Sequence, residues 1–354
     1  MSQTKTRALT KDTDLTNSPF MQAVRREKSA RTPIWLMRQA GRFMPEYREI
    51  RSKVKFLDLC KNSELASEVT VMAVEKLNVD AAIIFADLLL LVEPMGLGLE
   101  YAAGDGPVIH QPIRAQSDLA KIQNVDVHES LGYVFEAIKL TRKTLPANIP
   151  LIGFAGAPFT VASYIVEGGS SRHFLKTKQL MYTDSATWHI LMQRIVQITI
   201  AYLIGQVEAG AQVIQLFDSW VGCLSPEDYR TYVLPHSKAI IDAVKEYAPV
   251  IHFGTGTATL LNDIKTAGGD VIGLDWRVEL DKSWQDLGYD VGVQGNLDPA
   301  ILFADQAEIR KQVTRILEQA ANRPGHIFNL GHGILPETPV ENVNYLVNLV
   351  RELG

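Results

Sequence analysis

Residues 33–48 read PIWLMRQAGRFMPEYR, and the run Ile34 to Met37 ends in Arg38, with Gly41 and Arg42 following closely. A guanidinium at a buried strand end needs a partner, because an unpaired buried charge costs several kcal/mol. The partners open to Arg38 and Arg42 are acidic side chains elsewhere in the chain or an anionic ligand. Four further groups could do chemistry. Asp87 interrupts the apolar stretch AAIIFADLLLLV (81–92), Ser219 follows VIQLFD, and His332 sits between Gly331 and Gly333. Tyr164 precedes the glycine-containing segment EGGSS. Glycines on both sides of His332 let a ligand approach the backbone closely, and they equally suit a turn. Ser219 can likewise be a turn residue, Asp87 a helix cap and Tyr164 a packed ring. A Ser219–His332–Asp triad does not fit LFDSWVG, because Phe217 stands where a nucleophile elbow needs its first glycine.

The elements that would carry these residues are short apolar runs separated by amphipathic segments. The runs are IWLM (34–37), AAIIFA (81–86), LIGF (151–154), VIQLF (213–217), VIHF (250–253), VIGL (271–274), VGVQ (291–294) and HIFNL (326–330). Most are continuously apolar, as parallel strands covered on both faces must be. Between them, 63–79, 186–210 and 226–248 read as amphipathic helices. Ser225-Pro226 predicts one helix start, and Thr338-Pro339-Val340-Glu341 predicts a capping box at another. Eight strands alternating with helices predict a single-domain (β/α)8 TIM barrel over residues 21–354, with insertions near 88–128 and 156–185 and a flexible extension over residues 1–20. A doubly wound open sheet is the alternative. In a barrel the active site lies at the C-terminal strand ends. Just past the runs stand Arg38, Asp87, Ser219, Gly254, Asp275, Asn296 and His332, so the chemically able residues converge on one mouth.

Bulk properties narrow the classes. The chain has 354 residues, 46% hydrophobic and 21% charged, which is ordinary globular composition. A net charge of −5 with no long basic run argues against nucleic acid, and makes any anion site a local patch against the global sign. The two cysteines, Cys60 and Cys223, form no CxxC or zinc-spaced cluster, which predicts a reduced compartment and no metal. The first twenty residues lack a signal-peptide core, and residues 81–92 are too short to span a bilayer.

The blocks WLMRQAGRFMPEYR, FADLLLLVEPMGLGL, GFAGAPFTVASYIVEGGSS, QLFDSWVG, VQGNLDP and NLGHGILPETP, in this order, closely resemble the uroporphyrinogen decarboxylase family from about residue 20 to the C-terminus. The resemblance implies a (β/α)8 barrel, a homodimer in the cytoplasm or plastid, and a role in tetrapyrrole biosynthesis. It implies that the acetate side chains of uroporphyrinogen III, a small-molecule polycarboxylate, are decarboxylated to methyls without metal or organic cofactor. Carried over by position, Arg38, Gln39, Ala40, Gly41 and Arg42 form a substrate-binding loop, followed by Phe56. Asp87 binds the pyrrole N–H groups, and Tyr164, Ser219 and His332 complete the cleft. Asp87 and Arg38 are the candidate catalytic residues; for the proton donor, water, the substrate's own carboxylic acid and His332 stay open. Two rivals stand beside this reading. A corrinoid-dependent zinc methyltransferase on the same barrel would need a His-x-Cys pair, and here His252-Phe253-Gly254 puts glycine at the cysteine position. A non-catalytic tetrapyrrole-binding protein would need the arginines but not the charge of Asp87.

Overall fold

The computed structural model describes residues 13–102 and 106–354. Strands β1 (Ala82–Ile83), β4 (Leu151–Gly156), β5 (Val213–Asp218), β6 (Val250–Gly254), β7 (Val271–Gly273), β8 (Gly292–Gln294) and β9 (His326–Ile327) form one parallel sheet in that order. Strands β2 (Leu99–Ala102) and β3 (Gly106–Ile109) form a separate antiparallel hairpin in the first long insertion. The sheet strands are buried almost throughout, so their continuous apolar runs follow from cover on both faces.

The expected first strand, 34–37, is reduced to one parallel bridge between Ile34 and Phe328. It nevertheless joins the two ends of the sheet. Phe328 N–H donates to Pro33 O (2.8 Å) on one side, and Asp80 N–H to Ile34 O (2.8 Å) on the other. The curled sheet is thereby closed through Ile34, and the eight sequence runs occupy the eight barrel positions. Asp80 fixes this seam. Its carboxylate accepts Ile34 N–H (2.9 Å) and is gripped by Arg31 and by Arg351 of the C-terminal helix (2.6 Å). Inside the barrel a buried chain runs from Trp35 Nε1 to Gln294 Oε1 (2.9 Å), and from Gln294 Nε2 to Gln215 Oε1 (3.1 Å). Each of these bonds pairs a buried donor with a buried acceptor, which makes the polar groups tolerable there, although Gln215 Nε2 is left without a partner among the described residues.

The helices depart from expectation at two places. The segment 226–248 is two helices, Pro226–Tyr232 and Leu234–Val244, because Pro235 has no N–H to bond Thr231 O and its ring would crowd that carbonyl in a continuous helix. Ser225 caps the first, accepting Asp228 N–H at 3.1 Å. The C-terminal helix begins at Val340 with Pro339 as its N-cap, so Thr338 is not a capping residue and its buried hydroxyl has no partner. Residues 13–20 are also not a loose extension. Thr13–Thr16 and Pro19–Val24 are helical, and Leu15 and Phe20 are buried; residues 1–12 lie outside the described residues. The helix Ser185–Ala209 is long and apolar enough to cross a membrane, but it packs against the helices Val127–Thr144, Pro158–Glu167 and Leu234–Val244, which accounts for its composition.

Candidate active site

The C-terminal strand ends open into a cavity of about 1700 Å³. Its wall includes Arg38, Ala40, Gly41, Arg42, Phe56, Asp87, Ser219 and His332, so eight of the ten residues expected at the site are brought together. Gln39 and Tyr164 are not in the lining. Gln39 is fully buried, with Oε1 accepting Leu36 N–H (3.1 Å) and Nε2 donating to Ala81 O (3.0 Å). It clamps the loop onto the barrel, and at full burial its amide is not presented to the cavity. Tyr164, on the helix Pro158–Glu167, stands edge-on to Trp220, with ring centroids 6.0 Å apart.

The loop turns sharply at Arg38, whose φ is 63°, a left-handed conformation uncommon for a residue with a Cβ. This turn takes the chain out of the barrel seam and exposes the guanidinium. A Cβ at Gly41 would stand 2.6 Å from Arg38 O, and one at Gly333 would stand 2.5 Å from Arg38 Cδ. Gly41 is therefore required by the tight turn of the arginine loop on itself, and Gly333 gives the Arg38 side chain room to lie against the His332 loop. Among the described residues the guanidinium groups of Arg38 and Arg42 make no hydrogen bond or ion pair with protein; of Arg42 only the backbone O is engaged, by Arg48. The salt-bridge alternative for this pair is thus not realised.

Asp87 Oδ1 accepts two hydrogen bonds, from Leu89 N–H (2.8 Å) and from the Tyr101 hydroxyl. Burial pushes its carboxyl above the ordinary aspartate range; the Tyr101 and Leu89 bonds and the Arg38 charge pull the other way. His332 is held below its ordinary value, first by burial and then by the Arg38 charge, so its neutral form is favoured. Its ring stands edge-on to Trp276 (6.4 Å, 88°), and Trp276 is covered by Arg277 at 3.9 Å. Beside Ser219, Asp218 is fully buried, bonded by Thr160 Oγ1 (3.0 Å), and pushed up to about 7 by desolvation.

Several lining residues had escaped sequence reasoning. Arg48, Arg51, Lys53 and Lys55, on or just after the helix Pro45–Lys53, add to the cationic wall, and Tyr47 and Tyr101 to the aromatic one. Arg48 Nη1 donates to Arg42 O (2.9 Å) and Phe43 O (2.8 Å), which braces the arginine loop, and Arg51 Nη1 donates to Val54 O at the end of its own helix. The density of basic residues in EYREIRSKVK was a readable signal. The cavity wall carries Arg38, Arg42, Arg48, Arg51, Lys53 and Lys55 against Asp58, Asp87, Glu100 and Glu337, a positive balance in a chain of net charge −5. Such a site attracts polyanions, while Asp87 offers a carboxylate among the residues at the strand ends.

A family model described as "Uroporphyrinogen decarboxylase (URO-D)" matches residues 15–353. A curated relative from Carboxydothermus hydrogenoformans named "Uroporphyrinogen decarboxylase" is 56% identical over 339 residues, covering 96% of this chain and 97% of its own. One of the same name from Solibacter usitatus is 51% identical over 336 residues, covering 95% and 97%. Among solved structures, a methyltransferase from Methanosarcina mazei superposes with a TM-score of 0.81 at 20% identity, covering 94% of this chain and 97% of that one. At that identity the likeness concerns the barrel fold.

Proposed function

The chain belongs to the uroporphyrinogen decarboxylase family, and we propose that the cavity at its strand ends performs that family's reaction with Arg38 and Arg42 as carboxylate anchors and Asp87 as the pyrrole-binding, cation-stabilising group. The activity is cofactor-free decarboxylation of the acetate side chains of uroporphyrinogen III to methyls, giving coproporphyrinogen III in tetrapyrrole biosynthesis. The observation that carries the assignment of roles is the pair of unpartnered arginines facing one cavity with a buried carboxylate. Guanidinium groups bind carboxylates bidentately and stay charged at any working pH. Uroporphyrinogen carries eight carboxylates, which match the positive wall. Its unconjugated ring can pucker and aim its four pyrrole N–H groups at one carboxylate, which has about four acceptor sites. Both protein bonds to Asp87 fall on Oδ1, so Oδ2 keeps its acceptor capacity.

Loss of CO2 needs an electron sink. Protonation of a pyrrole ring carbon makes a cation; the bond to the carboxylate carbon then breaks and its electron pair passes into the ring system. The exocyclic carbon takes a proton to become a methyl, and the ring carbon gives its proton back. Each cycle consumes one proton and releases one CO2. The chain's own residues supply orientation and electrostatics: Asp87 stabilises the cation, Arg38 and Arg42 hold side-chain carboxylates, and neutral His332 and Ser219 donate hydrogen bonds. Ala40, Gly41 and Phe56 shape the cleft, Tyr164 stands outside its wall near Asp87, and Gln39 supports the loop from behind.

The zinc methyltransferase reading is weaker because His252 is fully buried, its Nδ1 lies 3.2 Å from Gly268 O, and its neighbour Phe253 is the residue that reaches the cavity. The decarboxylase reading takes the enzyme as a cytoplasmic homodimer, as the family resemblance implies. Anaerobic incubation with uroporphyrinogen III, followed by counting product carboxyl groups, tests the activity. A stepwise fall from eight to four carboxyls is expected, and an unchanged octacarboxylate overturns it. Sedimentation of the purified chain tests the dimer.

A further inference from the structure

The hairpin of β2 and β3 is a part of the cavity wall that the barrel strands do not build. It stands in the insertion after Asp87, and it is stitched to the loop that follows the Tyr164 helix: Ile109 N–H donates to Gly168 O (3.0 Å), and Val108 bridges Gly169. Tyr101 pairs with Pro107 in the hairpin register and lines the cavity. Its ring packs edge-on against Phe56, with centroids 4.9 Å apart, and its hydroxyl reaches Asp87 Oδ1. Phe56 in turn packs on Phe85, which precedes Asp87 by two residues.

We propose that Tyr101 is a positioning residue for the decarboxylation: its hydroxyl, delivered by the hairpin, donates to Asp87 Oδ1 and keeps that carboxylate ionised and fixed at the strand ends. The inference rests on the role assigned to Asp87 above. Burial works against an Asp87 anion, and among the groups opposing it the Tyr101 bond ranks ahead of the Leu89 N–H and the Arg38 charge. Arg38 is also the group that a substrate carboxylate would engage, which diverts its charge once the site is filled. The two donors on Oδ1 then remain as permanent support. Tyr101 can only donate in this pairing, because burial and the Asp87 charge push its own ionisation far up. The other titratable groups facing Asp87 are Cys60, Tyr133, Tyr164 and Tyr202, and burial pushes each of them up as well. They stay neutral where a carboxyl titrates, so they do not imitate its pH dependence.

The test is the acid limb of the kcat/KM profile on uroporphyrinogen III, which reports ionisations of the free enzyme and free substrate. Comparing variants on one substrate cancels the substrate's own titration. Tyr101→Phe keeps the ring on Phe56 and removes the donor, so the acid limb is expected to move to higher pH by about one unit, since hydrogen bonds to charged groups and a one-unit shift are of similar size. Replacing Tyr101 with 3-fluorotyrosine makes the phenol a stronger donor and should move the limb to lower pH. A structural role for Tyr101 would lower activity equally at every pH. A limb that stays in place in both variants, or in the fluorotyrosine variant alone if Tyr101→Phe does not fold, overturns the proposal. Asp87→Asn separates the two layers. If it keeps activity and the limb, the role of Asp87 itself fails. If it removes both while the Tyr101 variants leave the limb unmoved, only the role of Tyr101 fails.

Discussion

Replacing Asp87 with asparagine removes a charge while keeping nearly the same shape, and the structure indicates how the amide would sit. Leu89 N–H and the Tyr101 hydroxyl both donate to Oδ1, so the asparagine carbonyl should keep that place and the NH2 should occupy the place of Oδ2. The N–H groups of the substrate would then meet a donor in place of an acceptor. The cation formed on ring protonation would also lose its counter-charge. At about 4 Å and an effective dielectric of about 20, that charge contributes about 4 kcal/mol to the transition state. The expected loss in kcat/KM is therefore about 10²–10³-fold. Asp87 is already penalised by burial, so its loss should not unfold the protein, and the thermal midpoint should stay level or rise slightly. The assay is anaerobic steady-state kinetics on uroporphyrinogen III, with circular dichroism melts as the folding control. An asparagine variant retaining more than about a third of wild-type kcat/KM would refute the electrostatic role, because a third corresponds to less than about 1 kcal/mol.

Arg42→Lys should lower kcat/KM about tenfold or more, since a bidentate charge-assisted contact of about 1.5–3 kcal/mol becomes a single one; wild-type kinetics would reduce Arg42 to a point charge. Asp218→Asn should change the pH dependence of stability. The folded carboxyl is pushed up to about 7 from an ordinary 3.8, so between those values the native state holds a proton that the unfolded chain has released, and stability falls as pH rises. The melting temperature of the asparagine variant relative to wild type should thus be higher at pH 8 than at about pH 4, and an equal difference at both would refute the assignment. Buried His252 and His326 act oppositely. Each is pushed down to about 4 from 6.5 by burial, so the unfolded chain binds protons first as pH falls and stability is lost between those values. His326→Gln should flatten the acid decline in melting temperature, and a decline as steep as wild type would exclude His326 as a source.

The barrel was legible because its strands are buried on both faces, which writes them as continuous apolar runs that no surface element imitates. The strand-end rule then located Arg38, Asp87, Ser219 and His332 without any side-chain geometry. What escaped depends on contacts that periodicity does not encode. Gln39 belongs to the arginine loop by sequence, yet its amide matches the geometry of Leu36 N–H and Ala81 O, so it turns inward. Tyr101 meets Asp87 through the register of a hairpin, and the glycines at 104 and 106 were the available hint that such a hairpin exists. Pro235 lies inside an amphipathic pattern that continues on both sides of it, so the hydrophobic period alone suggests one helix where backbone chemistry requires two.

These misses share a physical cause that bears on how the site works. Arg38 is held at a positive φ, and Gly41 must lack a side chain to clear Arg38 O, so the loop alone would not choose this conformation. The choice is imposed from below. Gln39 ties the loop to Ala81, Met37 N–H donates to Asn329 Oδ1 (3.1 Å), and Ile334 N–H donates to Met37 O (2.9 Å). Each tie crosses the seam where the first run closes the barrel between β1 and β9. A seam made of one bridge is shorter than any paired strand, but its neighbours carry the bonds that orient both Arg38 and the His332 loop. Changes at Gln39 or Asn329 should therefore act on catalysis through the arginine loop while leaving the other strand ends in place.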